Sequence, residues 1–181
     1  YLAARFIEQG WSVKKLQREI LLSATYRQSS APRPDAEAVD PQNRLLAKYP
    51  RRRMDAEQIR DSLLAASGLI NLKQGGPAVY PSIPASVMKE STRRVEGFWP
   101  VSRDIRDHYR RSIYVFTRRS VPFPMLEVFD RASPQVAHAR REVSTTPQQS
   151  LTLFNNDVVY GWSQELAARA KREAARQDEP A

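Results

Sequence analysis

Apolar positions along this chain recur at helical intervals, and the breaks between them carry capping residues. Leu2, Phe6 and Ile7 precede Gly10, which predicts the tail of a helix stopped by glycine. Ser12 then caps a helix whose stripe is Val13, Leu16, Ile20 and Ala24, reinforced by Leu21 and ending near 25–28. Residues 29–41 are polar and proline-rich and predict a surface connection. Asp40-Pro41 predicts a short helix to Lys48, closed by Pro50. Asp55 with Gln58 three residues on forms a capping box for a helix that would bury Ala56, Ile59, Leu63 and Ala66 before Ser67-Gly68.

The pattern fails over residues 71–100, where Gly75, Gly76, Pro77, Pro81, Pro84, Gly97 and Pro100 predict a long irregular loop. Residues 112–117 (SIYVFT) read as a strand, and their apolar centre predicts cover on both faces. A short helix follows from Met125 to Phe129, ending at Asp130. Thr146-Pro147-Gln148-Gln149 starts another, with Leu151, Leu153 and Phe154 as its apolar face. After Asn155-Asn156-Asp157 a last helix runs to Arg176 along Val158, Trp162 and Leu166. The expected fold is therefore mainly α: an irregular helical domain over residues 1–170 with one short β segment and a long Pro/Gly-rich loop. It opens inside a helix, as the C-terminal part of a larger domain would. Residues 171–181 predict a polar, fraying tail.

Composition then removes whole classes of chemistry. The chain has no cysteine, so it holds no disulfide, thiolate metal site or covalent haem attachment of its own. With two histidines, His108 and His138, a polyhistidine metal site is excluded and no metal is expected. No apolar run exceeds four residues, which excludes a membrane span. No glycine-rich phosphate loop, nucleophile elbow or zinc-protease motif occurs.

Charge narrows the partners. Lys and Arg total 29 against 20 acids, a net +9, and most of the bases are arginine. Such a balance suits an acidic partner, yet it is spread over both halves, as solvated or internally paired arginines would be. Two clusters stand out: Arg51-Arg52-Arg53, and residues 91–119 with eight arginines. Arginine grips carboxylate, sulfate or phosphate in a bidentate fork. The candidate ligand contacts are Arg93, Arg94, Trp99, Arg118, Arg119, His138, Arg140, Arg141 and Asn155. Trp99 stands in an irregular stretch beside arginines. His138 could serve as a general base, with Ser144, Thr145 and Thr146 near in sequence; those hydroxyls equally suit helix capping. Asp130, Asn155, Asn156 and Asp157 offer hard oxygens to calcium, but Asn-Asn-Asp also turns a chain and caps a helix.

These blocks, in this order, resemble the planctomycete secreted domain-of-unknown-function family fifteen-fifty-three. The matching stretches are Gly10 to Lys14, Ser23 to Ser30, Asp40 to Leu46, Asp55 to Asp61, Ser67-Gly68, Gly75 to Pro77, Arg110 to Tyr114, Pro124 to Asp130 and Ser144 to Asn155. Gln148 stands where the family pattern favours a hydrophobic residue. The resemblance implies an exported bacterial protein in which this domain follows upstream domains, one of them cytochrome c-like and carrying haem c. No cofactor is expected in this chain. It implies no established activity and no catalytic residues. The favoured expectation is a non-catalytic scaffold or anionic-glycan-contacting module, partnered by upstream domains of the same polypeptide and by anionic polysaccharide. The alternative is part of an enzyme acting on polysaccharide or a redox partner, its site completed by upstream sequence. Expected export disfavours nucleic acid.

Overall fold

A computed structural model describes residues 1–84, 99–119 and 122–177. Its architecture is mainly α, and its contacts divide it into two compact units, Tyr1–Arg53 and Met54–Ala181. Among the described residues, no helix is long and apolar enough to cross a membrane.

The first unit holds α1 (Leu2–Glu8), α2 (Val13–Leu22) and α3 (Pro34–Val39). Ser12 caps α2 by accepting from the Lys15 N–H at 3.4 Å. Glu19 ties α2 to α1, accepting from Gln9 Nε2 at 2.5 Å, Tyr1 OH at 3.1 Å and Arg5 Nε at 3.2 Å. These bonds from Gln9 and Arg5 hold its carboxyl below the usual range. No residue of these three helices is fully buried; Val13, Ile20 and Leu21 of the predicted stripe are exposed.

Two expectations for this unit are corrected. The 29–41 connection contains α3, started by Pro34 in its first turn with Asp35 and Glu37 beside it. The helix expected from Asp40 to Lys48 is a series of turns. Asp40 Oδ2 accepts from the Leu45 N–H at 2.8 Å, and Asn43 bonds both backbone groups of Lys48. Asn43 and Leu46 take the left-handed region, at φ 51° and 55°, which no helix can absorb.

The second unit is built on α4 (Ala56–Ser67), which packs against α5 (Pro124–Val128) and α7 (Asp157–Gln177); α6 (Pro147–Asn155) joins those two. The predicted boundaries hold. Asp55 with Gln58, and Thr146 with Gln149, form capping boxes, and Gly68 closes α4 at φ 79°. The core gathers Leu64, Trp99, Phe123, Leu126, Phe129 and Trp162, among others. The apolar face assigned to α6 is corrected: Leu151 and Leu153 are exposed and Phe154 is 82% exposed. Gln149 is buried instead, donating to Val128 O at 3.1 Å across to α5.

The β segment is corrected too. Ser112–Tyr114 is a 3₁₀ turn, and only Val115 pairs, in an isolated parallel bridge to Val79; a second bridge joins Asn71 and Arg110. The reason is Asp61, whose Oδ1 takes both the Ser112 N–H and its hydroxyl at 2.7 Å. That contact curls the chain, and Ile113 emerges 74% exposed.

Irregular segments are braced by two buried arginines rather than by a sheet. Arg60, 1% exposed on the inner face of α4, donates to Arg110 O at 2.9 Å, His108 O at 2.6 Å and Ser112 Oγ at 3.2 Å. Arg110, itself buried, donates to Pro77 O at 3.0 Å, Gly75 O at 2.5 Å and Lys73 O at 3.2 Å. Its guanidinium lies 3.8 Å from the Tyr114 ring centroid. Helix, 3₁₀ segment and glycine turn are thus joined in series. Replacing Arg60 by Lys leaves one ammonium where a fork met three acceptors. We expect Arg60→Lys and Arg60→Met each to lose about 3 kcal/mol in urea unfolding, because buried carbonyls are stranded.

Candidate functional site

Beside Arg60 the second unit encloses a cavity of about 430 Å³. Its walls include Phe123, Trp162 and Tyr109, with His108, Ser82, Asn156, Asp157, Gln164 and Glu165 supplying polar atoms. Arg60 lines it as well, its guanidinium 5.7 Å from the Phe123 ring centroid and 5.9 Å from that of Trp162. Burial pushes its pKa down to about 10, with Asp61 opposing, so it keeps its proton at neutral pH.

Inside this cavity a histidine is oriented by a backbone carbonyl. His108 Nε2 stands 2.8 Å from Ser102 O, which can only accept, so Nε2 carries a hydrogen. In the neutral ring Nδ1 then offers its lone pair to Ser82 Oγ, 3.4 Å away. Asn156 caps α7 from the cavity rim, its Oδ1 accepting from the Val158 N–H at 2.9 Å and the Val159 N–H at 3.3 Å. That cap is the ordinary reading of Asn-Asn-Asp.

A second cleft, of about 410 Å³, is lined by Asp55, Glu57 and Asp61 opposite Arg111, Arg131 and Arg141. Arg141 grips Glu57 through both terminal nitrogens, at 2.6 and 3.3 Å, with Asp55 at 3.9 Å. Arg111 Nε lies 3.7 Å from Asp61. Arg131 bonds Thr117 Oγ1, and Gln135 Nε2 donates to Arg119 O at 3.3 Å, so 117–119 runs alongside 131–135.

The expected contact residues scatter. Arg93 and Arg94 lie outside the described residues. Trp99 is a core residue, 1% exposed, stacked near Phe123 with its indole N–H on Pro81 O at 2.7 Å; a ligand at the surface cannot reach it. Arg119, His138 and Arg140 are exposed, Arg118 is half-buried, and Arg141 is held by Glu57. Asn155 is exposed at the end of α6. Ser144, near His138 in sequence, instead donates its hydroxyl to Asp130 Oδ1 at 2.7 Å. Sequence reasoning missed Arg60 and His108. Arg60 was findable, since it sits four residues from both Ala56 and Leu64 on an otherwise small and apolar stripe.

Glu57 is pulled two ways: burial raises its pKa, and the Arg141 fork with a backbone bond lowers it further, leaving it below the usual range. A depressed carboxyl stabilises the fold above its unfolded value and loses that contribution as pH falls through the folded one. Arg141→Ala should therefore cost about 0.5–1 kcal/mol near pH 7 in chemical denaturation. The gap to the parent protein should narrow as pH falls below the ordinary glutamate range and Glu57 takes up a proton.

No curated protein and no solved structure matches this chain. A family match covers residues 1–179. The chain thus belongs to the family described as PSD1, protein of unknown function (DUF1553).

Proposed function

We propose that the chain is a non-catalytic module of a larger exported, cytochrome-linked bacterial protein, a scaffold that also contacts acidic polysaccharide through arginine. In this reading haem c belongs to an upstream domain of the same polypeptide, and that domain is the module's first partner. The observation that carries it is the destination of the arginines. Arg60 and Arg110 brace backbone, which is scaffold work. Arg119 and Arg140 are exposed on segments beside the charged cleft, and among the described residues neither meets a carboxylate.

A sulfated polysaccharide titrated over a salt series tests the glycan part. We expect modest binding that weakens as salt rises, and a further loss of about two- to fivefold for each of Arg119→Ala and Arg140→Ala. Absent or salt-independent binding removes glycan contact and leaves the scaffold.

One observation favours a second reading, part of an enzyme acting on polysaccharide. Ser82, His108 and Ser102 O form a hydroxyl, base and orienting acceptor in sequence. In it, Ser82 Oγ would attack a glycan ester carbon, passing its proton through His108 Nδ1 to the leaving alkoxide. A fluorophosphonate probe decides: labelling of Ser82 that His108→Ala abolishes supports the enzyme, and no labelling is expected of the module.

A further inference from the structure

The face of α7 that lines the cavity carries Asp157, Val158, Gly161, Gln164 and Glu165, a run of helical neighbours centred on a glycine. Glycine inside a helix is the poorest choice after proline. Packing does not require it here, because a Cβ built on Gly161 meets nothing within 4 Å. The backbone does not require it either, since Gly161 is absent from the positive-φ residues. What the missing side chain does is leave open a cradle against the helix backbone, with carboxylates about two turns apart on either side.

We infer that this cradle holds one uncharged pyranose unit of a polysaccharide. The chemistry of the walls selects it. Tyr109, Ile105 and Pro84 offer apolar surface to the C–H faces of a sugar ring, with the buried Phe123 and Trp162 behind them. Asp157, Glu165, Gln164 and Ser82 offer acceptors to ring hydroxyls. Acidic sugars are disfavoured: two carboxylates line the space, while the terminal nitrogens of Arg60 are already bonded to the carbonyls of His108 and Arg110. The site is thus separate in chemistry from the arginine contact, and salt distinguishes them.

Calorimetry with β-linked gluco-, manno-, xylo- and galacto-oligosaccharides tests the inference. We expect saturable binding to at least one, unchanged between low and high salt. Gly161→Gln fills the cradle and should weaken that binding at least about tenfold, and Glu165→Gln should weaken it without loss of fold. Gly161→Ala should raise the unfolding temperature by about 3 °C while reducing affinity. Failure of all four sugars to bind overturns the inference, as does binding that Gly161→Gln leaves intact. Loss of salt-sensitive polyanion binding by the arginine variants, with sugar binding preserved, leaves it standing.

Discussion

The bracing of the second unit depends on a buried guanidinium whose charge is solvated by carbonyl dipoles. Arg60 faces Asp61 at 3.8 Å, too far for a hydrogen bond, and gives its fork to backbone and to Ser112. A charge taken from water is tolerated only where its donors are met. Its Nε and that of Arg110 have no hydrogen-bond partner among the described residues. Yet each arginine gathers three acceptors from segments without regular structure, which no apolar side chain could do.

The consequence is positional. Bonded to Arg60, the carbonyl of His108 is fixed, and so is the ring that points to Ser102 and Ser82. Arg110 fixes the 73–77 turn, which leads through Val79 to the Pro81 carbonyl that holds Trp99. One cavity wall is therefore set by arginines that never meet solvent, and the other by α7. A scaffold built this way tolerates an open space beside its core, since the walls are held by directional bonds as well as by packing.

The helix starts at Ser12, Asp55 and Thr146 were legible because they are local chemistry, but the same signal failed at Asp40-Pro41, where Asp40 takes the Leu45 amide and the chain turns. Asp55 with Gln58, Thr146 with Gln149 and Ser12 act within one turn of themselves. Faces were less so. Of the stripe read as Ala56, Ile59, Leu63 and Ala66, Ala56 is buried and Ile59 and Leu63 pack half-buried against the core, while Ala66 is exposed; Arg60, Leu64 and Ser67 join the buried face because an arginine with local acceptors counts as a core residue. The same failure put Leu151, Leu153 and Phe154 on the inner face. The strand at 112–117 was misread because Asp61, some fifty residues earlier, claims the Ser112 amide, and no window around residue 112 contains that information. The site was the least legible part. His108 is made notable by Ser102 and Ser82, and Gly161 by emptiness beside it.

Native-state amide exchange tests the bracing most directly. The Asn71 amide bonded to Tyr109 O, the Val79 amide bonded to Tyr114 O and the Phe116 amide bonded to Val79 O lie in irregular chain. If buried arginine holds these segments as one cooperative body with α4, their amides exchange as slowly as that of Leu64. Exchange at the rates of open loops, with α4 still protected, would contradict it.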